Sequence, residues 1–410
     1  MVFPELHLKN KKTSSFLNER VFLFCAIIVS FLLLWILWCF AVPSSYFTRT
    51  RYDPITFYDD PDMSYSITTR VHNWDQKREQ WLSKKSSFSK TDPTRIVVAT
   101  GSQPGPCENP IGDHLLIRLY KNKVDYCRIH GCDVFYNNAL LDQGMSGYWA
   151  KYPVIRAAMM AHPEAEWIWW IDSDAIITDM DFNIPLEKYK DYNLVVPGWP
   201  NLIFEKKSWT GLNAGVFLIR NCQWSMDLLN RWASFGPTSP DYHKWGFILK
   251  SIFTDKLFPD SDDQTALAYI IVKEAKKWGN KIYIENEYDL SAYWVGVVDK
   301  LDEINDRYKT LYKNVPSLRK KHAEKDGESY RDRLQKYVKE KGYNSWDLRR
   351  PFVTHFTGCQ QCSGQYNPMY KGSDCWDGMA KALNFGDNQV LRNFGYFHPN
   401  LNDSSLIQPI

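Results

Sequence analysis

The chain has 410 residues, with 50 Lys and Arg against 47 Asp and Glu and a formal net charge of +3. This near-neutral balance lacks the basic footprint of a nucleic-acid-binding protein, and 44% apolar residues with 24% charged residues exclude global disorder. Aromatic residues make up 15% of the chain, which is typical either of large cores or of surfaces that stack on sugars.

A long apolar segment lies near the N-terminus. Residues 21–42 carry no charge, and a helix rising about 1.5 Å per residue crosses a hydrocarbon core of about 30 Å over that length. A cleaved signal peptide is the alternative, but its apolar region is only about 7–15 residues long. Because basic residues precede the segment, we predict a type II protein with a cytoplasmic tail (1–20), a transmembrane signal anchor (21–43) and a lumenal stem (44–94).

From residue 95 onward, short β-branched runs alternate with helical patterns. This alternation predicts an α/β domain with a mostly parallel central sheet, over residues 95–410. The predicted strands are Arg95–Thr100, Asp133–Tyr136, Glu166–Ile171, Asn193–Val196, Ala214–Ile219, Lys281–Ile284 and Pro351–His355. The predicted helices are Gly112–Gly131, Ala150–Ala161, Gln223–Phe235, Asp263–Lys277 and Cys375–Arg392.

Charge is concentrated in residues 299–350. This segment holds 15 Lys and Arg against 10 Asp and Glu, so the positive balance of the whole chain lies there. We interpret it as a solvated, salt-bridged helical excursion. A lumenal docking surface or a polysaccharide-contact surface is the alternative.

Seven cysteines follow the apolar segment and would face an oxidising lumen. Because seven is odd, at least one thiol stays free or pairs between chains. The spacing of Cys359 and Cys362, with His355 before and Cys375 after, also resembles a zinc site, but a second ligand pair at the usual spacing is missing. Disulfides are therefore favoured. Asn402 begins the one N-glycosylation sequon in the chain.

The string WIWWIDSD, residues 167–174, is the most informative one. A wholly apolar strand is typical of the inside of a parallel sheet, so we expect Asp172 and Asp174 in the crevice where open α/β sheets bind ligands. A turn there lets the two carboxylates converge on one hard divalent cation that keeps positions open for phosphate oxygens. D-x-D alone is also common on solvated turns, and the apolar strand before it is what favours the metal site.

Three further residues extend this prediction. His355 also ends an apolar strand and is the predicted third ligand, with a structural histidine as the alternative. Gly101 closes the first strand with a turn that could admit a nucleotide against backbone N–H groups. Lys151 could contact a diphosphate, or it could be a solvated residue at a helix start. The chain lacks a P-loop lysine and a G-x-G-x-x-G string, so neither ATP nor a dinucleotide is indicated.

Two polar clusters complete the candidate site. Asp262, Asp263 and Gln264 open a predicted helix, where one acid would be the N-cap, worth about 1 kcal/mol, and another would face the cleft. Asn213 and Gly215 precede a strand, where they would recognise sugar hydroxyls or simply form a tight turn.

These motifs resemble the plant members of glycosyltransferase family 34. The resemblance is carried, in order over residues 95–399, by TGSQPGPCENPIGDHLL, KNKVDYCRIHG, YWAKYPVIRAAMMAHPEAEWIWWIDSDAIITDMDF, SWTGLNAGVFLIRNCQWSMD, DDQTALAYII, RRPFVTHFTGCQQC and ALNFGDNQVLRNFG. It implies a catalytic domain of the GT-A type fold. That domain would lie in the lumen of the Golgi apparatus, held by a single-pass type II anchor. It also implies that the enzyme uses UDP-sugars and Mn²⁺, retains the anomeric configuration and adds side branches to β-1,4-linked cell-wall backbones.

The resemblance also implies roles for individual residues. It assigns Asp172, Asp174 and His355 to the metal. It assigns catalytic roles to Asp262, Asp263 and Gln264. It assigns contacts with the nucleotide or sugars to Gly101, Lys151, Ser173, Asn213, Gly215 and Gly358, together with the three metal ligands.

Two branches of the family compete. SWTGLNAG, HFTGCQQC and the charged excursion resemble the galactomannan or glucomannan α-1,6-galactosyltransferases, whereas the xyloglucan α-1,6-xylosyltransferases carry a lysine at the position of Gln360. We therefore expect transfer of galactose from UDP-galactose to O6 of mannose in a β-1,4-mannan or glucomannan. The alternatives are the xylosyl reaction with UDP-xylose, a non-catalytic scaffold within a Golgi polysaccharide synthase complex, and a glycoside hydrolase that uses Asp172 with a distant acid.

The expected reaction is a same-face transfer in which the leaving phosphate accepts the proton of the acceptor hydroxyl. A double displacement would instead need Asp262 or Asp263 as the nucleophile. A place in the core is favoured for each tryptophan taken singly, but four in loop-like contexts could instead stack under acceptor sugars: Trp149, Trp199, Trp209 and Trp294. The strand residues Trp167, Trp169 and Trp170 are expected in the core.

Overall fold

The computed structural model describes residues 13–41, 59–60, 63–84, 95–319, 327–341 and 349–410. The chain divides into two units, residues 1–59 and 60–410. In the first unit, helix α1 (Thr13–Ala41) contains an apolar window, Val21–Trp38, long enough to cross a membrane. The predicted anchor is thus helical over its described part. Residues 1–12 of the tail, 42–43 of the anchor and 44–58, 61–62 and 85–94 of the stem lie outside the described residues.

The second unit alternates helices and short strands. Its helices are α2 (Trp74–Lys84), α3 (Gly112–His130), α4 (Lys151–Ala161), α5 (Gln223–Ala233), α6 (Tyr242–Ile252), α7 (Asp263–Lys273), α8 (Ala275–Trp278), α9 (Leu301–Asn314), α10 (Gly327–Lys341) and α11 (Asp374–Leu391). Its strands are β1 (Ile96–Gly101), β2 (Asp133–Asn137), β3 (Trp167–Ile171), β4 (Ala175–Ile177), β5 (Leu194–Pro197), β6 (Val216–Arg220), β7 (Ile282–Glu285), β8 (Ala292–Tyr293), β9 (Val353–His355), β10 (Tyr396–Phe397) and β11 (Gln408–Pro409).

The central sheet has six strands in the order β2-β1-β3-β6-β5-β7. The ladders β1–β2, β1–β3 and β5–β7 are parallel, whereas β6 runs antiparallel to both of its neighbours. The predicted α/β fold with a mostly parallel sheet is therefore confirmed. One expectation is wrong in detail, because β3 has a parallel neighbour on only one side.

Strand β3 lies in the middle of this sheet and is buried along its whole length. Trp167, Trp169 and Trp170 are at most 6% exposed, which confirms that these three rings belong to the core. Burial of both faces explains why the strand is continuously apolar.

A second sheet has three strands in the order β4-β9-β8. β4 pairs antiparallel with β9, and Ala175 lies opposite His355. The strand that ends in His355 therefore belongs to this smaller sheet and not to the central one. The short β4 and β8 escaped prediction because two or three residues carry no readable period.

The predicted stem, residues 44–94, is too long at its C-terminal side. Residues 63–84 belong to the second unit, where Ile67, Val71 and Trp74 are at most 1% exposed. The indole Nε1 of Trp74 also donates a hydrogen bond to Asn221 Oδ1 over 2.7 Å. The polar composition of this segment concealed a few well-spaced apolar anchors.

The charged segment, residues 299–350, is helical as predicted, with α9 and α10 as its described helices; residues 320–326 and 342–348 lie outside the described residues. It is more than a solvated surface, since it has a small core of its own with Tyr308, Tyr312 and Tyr330 buried. Arg350 is buried at its end and lies 2.8 Å from Asp181. Buried ion pairs and aromatic contacts thus attach the segment to the unit.

Six of the seven cysteines after the anchor form disulfides. The pairs are Cys107–Cys362, Cys127–Cys132 and Cys359–Cys375. The preference for disulfides over a zinc site is therefore confirmed. The remaining thiol is that of Cys222.

Candidate active site

The turn after β3 presents the two predicted metal ligands. The backbone N–H of Asp172 donates to Gly215 O over 2.8 Å, and the N–H of Ala175 donates to Asp172 O over 3.1 Å. The indole of Trp170 donates to Asp172 Oδ1 over 2.6 Å. These bonds connect the turn to the central sheet and orient one carboxylate.

His355 completes a cluster with these carboxylates. Its Nε2 lies 3.2 Å from Asp174 Oδ1 and 3.8 Å from Asp172 Oδ2. One ligand atom from each residue lies within 4.8 Å of the others. The β4–β9 ladder brings the three together, because Ala175 follows Asp174 and pairs with His355. The predicted ligand set thus meets in one place.

Asn213 and Ser291 orient the imidazole of His355. Asn213 Oδ1 accepts a hydrogen bond from Gly215 N over 2.9 Å, which identifies this atom as the oxygen. His355 Nδ1 lies 3.1 Å from the same oxygen and therefore carries the proton; Ser291 Oγ lies 3.3 Å from Nδ1. The lone pair of Nε2 then points at the two carboxylates, as in the outer shell of metal-binding histidines. Asn213 was predicted for sugar contact or a turn, and it supports His355 here.

The donor set fits a divalent cation. Two carboxylates and one imidazole suit Mn²⁺ or a similar first-row cation, and Asp172 and Asp174 remain 26% and 14% exposed. Burial alone lowers the pKa of His355, but Asp174 and Asp172 outweigh it, so the pKa lies above the ordinary value of 6.5. The negative field that raises this pKa would also attract a cation.

Lys151 connects the acidic turn to the second acidic cluster. Its side chain is 3% exposed, and Nζ lies 2.8 Å from Asp263 Oδ2 and 3.3 Å from Asp172 Oδ1. Nζ also donates to Ala214 O over 3.0 Å. Burial lowers the pKa of Lys151, but the two carboxylates raise it further, so the net shift is upward. With all three ammonium donors engaged, this lysine orients Asp172, and a contact from Lys151 to a diphosphate would require these bonds to change.

The second acidic cluster begins α7 in two distinct ways. Asp262 is the N-cap, and its Oδ1 accepts from Thr265 N over 2.8 Å. Asp263 faces Lys151, and burial raises its pKa. The expectation that one acid caps the helix and another faces the cleft agrees with this arrangement. Gln264 braces the loop before β6, since its Nε2 donates to Trp209 O over 2.8 Å.

Glycines permit close approaches around the site. A Cβ on Gly215 would lie 2.2 Å from His355 Cε1 and 2.5 Å from Asp172 Oδ2. A Cβ on Gly101 would lie 2.2 Å from the carbonyl oxygen of Asn137 in β2, which accounts for this glycine by packing of the two strands. Gly358 has a φ of +83° just after β9, a conformation that favours glycine.

Gln361 is a site residue that the sequence analysis missed. It is buried, and its Nε2 donates to Ser173 Oγ, the middle residue of the acidic turn, over 2.8 Å. Its own carbonyl accepts from Asn109 Nδ2 over 3.0 Å, and the adjacent Cys362 forms the disulfide with Cys107. The neighbouring Gln360, which marks the difference between the two branches of the family, is exposed. Gln360 and Gln361 are the same residue type side by side, so nothing in the sequence separates the buried one from the exposed one.

Replacing Gln361 tests this support. We expect Gln361→Ala to reduce kcat/KM for sugar transfer about tenfold, because outer contacts of a metal site typically have effects of that size. The matched control is Gln360→Ala, which removes the same side chain from an exposed position and should leave kcat/KM nearly unchanged. Equal losses in the two variants would contradict the role given to Gln361.

Two of the four candidate stacking tryptophans lie in the core, as favoured for each of them taken singly. Trp149 and Trp294 are 2% and 6% exposed and therefore cannot stack on a polysaccharide. Trp199, by contrast, is 51% exposed. Tyr293, which was not predicted, is 46% exposed and pairs with His355 in the β8–β9 ladder. Loop-like sequence context did not separate buried rings from exposed ones, since several loops fold inward.

Comparison with known proteins finds plant glycosyltransferases. The chain is 52% identical over 416 aligned residues to Glycosyltransferase 6 of Arabidopsis thaliana, with 97% of this chain and 96% of that protein covered. It is 54% identical to Galactomannan galactosyltransferase 1 of Cyamopsis tetragonoloba, covering 87% of this chain and 81% of that protein. It is 42% identical to Probable xyloglucan 6-xylosyltransferase 3 of Arabidopsis thaliana, covering 86% and 71%.

Solved structures are more distant. A glycosyltransferase involved in the glycosylation of the major capsid of PBCV-1 aligns with 69% of this chain and 98% of its own, at 13% identity and a TM-score of 0.38. The profile of glycosyltransferase family 34, described as the galactosyl transferase GMA12/MNN10 family, matches residues 92–366, the range that contains every predicted site residue. The chain therefore belongs to glycosyltransferase family 34.

Proposed function

We propose that this chain is a retaining α-1,6-galactosyltransferase that moves galactose from UDP-galactose to O6 of mannose in a β-1,4-mannan or glucomannan. The observation that carries the proposal is the cluster of Asp172, Asp174 and His355 at the end of β3. A relative named for galactomannan galactosyl transfer is 54% identical, whereas a relative named for xyloglucan xylosyl transfer is 42% identical.

The charges around the cluster suit an anionic donor held through a cation. Lys151 contacts Asp172 and Asp263, whereas Asp174 contacts His355. The three carboxylates outnumber the ammonium groups of Lys151 and of the buried Lys123, so a net negative charge is left to attract a divalent cation. Such a cation, when bound, neutralises charge on the departing diphosphate. Lys151 and Trp170 hold Asp172 in place, and Asn213 holds His355, so the ligands need little rearrangement when the donor arrives.

The contacts of the second acidic cluster favour a same-face transfer. Asp262 is 4% exposed, caps α7 and lies 3.2 Å from Lys256. Asp263 is 10% exposed and is bonded to Lys151. Both carboxylates are engaged, so neither is a free nucleophile. In the proposed step the bond from C1 to the phosphate oxygen breaks, the bond from C1 to O6 of mannose forms, and the O6 proton passes to the departing UDP.

A neutral acceptor would be recognised by exposed rings near the cluster. Tyr293 lies beside His355 in the ladder, and its hydroxyl is 2.6 Å from that of Tyr370. Trp199 lies on the loop after β5 and is anchored by its N–H to Gly211 O over 2.8 Å. Rings of this kind bind pyranoses by their apolar faces. We propose that Tyr293 and Trp199 contribute to the acceptor groove.

The proposal includes a location in the Golgi membrane. Helix α1 supplies a candidate anchor, and three disulfides are typical of an oxidising compartment. Asn402 is exposed and available for glycosylation. We propose a type II topology with the second unit lumenal, where homo-oligomers or complexes with polysaccharide synthases can form.

Donor and acceptor are tested together. Full-length protein in detergent is given UDP-galactose or UDP-xylose, each with manno-oligosaccharides and with cello-oligosaccharides, in the presence of Mn²⁺. We expect galactosyl transfer to manno-oligosaccharides, with kcat/KM at least about tenfold above that for UDP-xylose, a ratio within the range that one extra group in a pocket supplies. Chelation should abolish transfer and Mn²⁺ should restore it.

The other outcomes are informative. Xylosyl transfer to cello-oligosaccharides would identify the sister reaction. Absence of UDP release with every acceptor would favour a scaffold. The control variant Asp172→Ala with Asp174→Ala removes two of the proposed ligands, and unchanged transfer in that variant would contradict the metal assignment.

A further inference from the structure

Lys123 is a buried cation next to the acidic turn. It lies in the middle of α3 and is 1% exposed. Its Nζ donates to Ala175 O over 2.8 Å and to Leu119 O over 3.4 Å. Ala175 directly follows Asp174 and pairs with His355. The ammonium group is therefore attached to the backbone that carries the proposed metal ligands.

The neighbouring Asn122 shows which side chain is sufficient to bond the free backbone groups of β4. Its Nδ2 donates to Ile177 O over 2.9 Å, and Ile177 N donates to its Oδ1 over 2.8 Å. β4 is an edge strand of its sheet, so these side chains of α3 take the place of a neighbouring strand. The neutral amide of Asn122 bonds both the N–H and the C=O of Ile177. Hydrogen bonding alone therefore does not explain why the position next to it holds a buried lysine.

A buried ammonium group is unfavourable unless an opposite charge lies nearby. Burial lowers the pKa of Lys123 to about 8, and the charges that counter this shift are those of Asp174 and Asp172. The amine is therefore still mostly protonated at neutral pH, and it interacts with the same two carboxylates that face His355. The charge of Lys123 therefore affects the binding of any charged ligand at Asp172 and Asp174.

We propose that Lys123 is a positioning residue whose fixed charge weakens binding of a divalent cation alone to the Asp172–Asp174 turn and strengthens binding of the nucleotide diphosphate. This inference rests on the proposed use of a divalent cation and a UDP-sugar. A positive charge close to the carboxylates repels the cation and attracts the diphosphate. The cation is then held firmly only when the nucleotide is present, so that the two ligands bind cooperatively.

The test measures the two ligands separately on full-length protein in detergent. Lys123→Gln removes the charge and keeps a hydrogen-bond donor for Ala175 O, and Lys123→Met removes both. Mn²⁺ affinity without nucleotide is measured by paramagnetic resonance of the free ion, and UDP affinity by calorimetry at saturating Mn²⁺. In Lys123→Gln we expect Mn²⁺ to bind about fivefold more tightly and UDP about fivefold more weakly, since the charge acts on the two ligands with opposite sign.

The matched control is Lys121→Met on the same helix. Its side chain is 54% exposed and pairs with Asp125 and Asp387, so neither affinity should change. If Lys123 had a purely structural role, its replacement would weaken the binding of Mn²⁺ and of UDP together. That result would overturn the proposal, and so would two unchanged affinities. Failure of both neutral variants to fold, as judged by thermal unfolding, would overturn it too. Wild-type protein that binds neither Mn²⁺ nor UDP would instead contradict the proposed function.

Discussion

Gly215→Ala is expected to reduce sugar transfer at least about 100-fold, because a displacement of about 1 Å at a catalytic site can have an effect of that size. The new Cβ would lie 2.2 Å from His355 Cε1 and 2.5 Å from Asp172 Oδ2. Two of the three proposed metal ligands would have to move apart. The N–H of Gly215, which orients Asn213, would move with them.

The measurement combines activity, Mn²⁺ affinity and thermal unfolding. Two glycines provide matched controls, since a Cβ at Gly105 or Gly296 meets nothing within 4 Å. Gly105→Ala and Gly296→Ala should keep both activity and Mn²⁺ affinity. We expect Gly215→Ala to lose Mn²⁺ binding while it still unfolds cooperatively. Full activity in Gly215→Ala would show that the cluster of Asp172 and His355 is not where the reaction takes place.

The same glycine illustrates what the sequence could predict. The acidic turn was predictable because WIWWI is a local pattern and Asp172 and Asp174 follow it directly. Gly215 was recognised as a flexible residue near the site. A glycine is required there because His355, 140 residues later in the chain, lies against it. That contact depends on the second sheet, whose short strands β4 and β8 leave no periodic signal.

Supporting residues were predicted less well than ligands. Asp172, Asp174 and His355 each carry chemistry that their residue type reveals. Gln361 acts through Ser173, from which it is separated by 188 residues, and an amide side chain in a loop is compatible with many roles. Such contacts require the tertiary structure, because they follow from packing between segments and not from any pattern within one.

The predicted boundary between the stem and the folded domain was misplaced for a related reason. Residues 63–84 resembled a stem because charged and polar residues dominate their composition. Their attachment depends on Ile67, Val71 and Trp74, each of which is buried. These three residues stand at i, i+4 and i+7, the spacing of one helix face, but only Trp74 lies in a helix. Three positions among many polar residues are too few to form a sustained period, so the packing could not be read from the sequence.

Lys151→Met is expected to lower the free energy of unfolding by about 3–5 kcal/mol, the usual effect of removing one partner from a buried ion pair. Asp263 would lose the ammonium group 2.8 Å away while remaining in a site where burial raises its pKa. Asp172 would lose its second partner, so transfer should also fall. Urea or thermal unfolding of the full-length protein measures the first effect and the galactosyl assay the second.

A double variant separates the ion pair from the loss of packing. Asp263→Asn removes the stranded charge, so Lys151→Met with Asp263→Asn should lose less stability than the two single variants added together, as expected for directly coupled residues. Lys309→Met is the surface control. Lys309 lies 3.0 Å from Asp306 on an exposed face of α9, where a pair contributes at most about 1 kcal/mol. If Lys151→Met were no more destabilising than Lys309→Met, the contacts of Lys151 with Asp263 and Asp172 would not stabilise the site, and another group would have to orient Asp172.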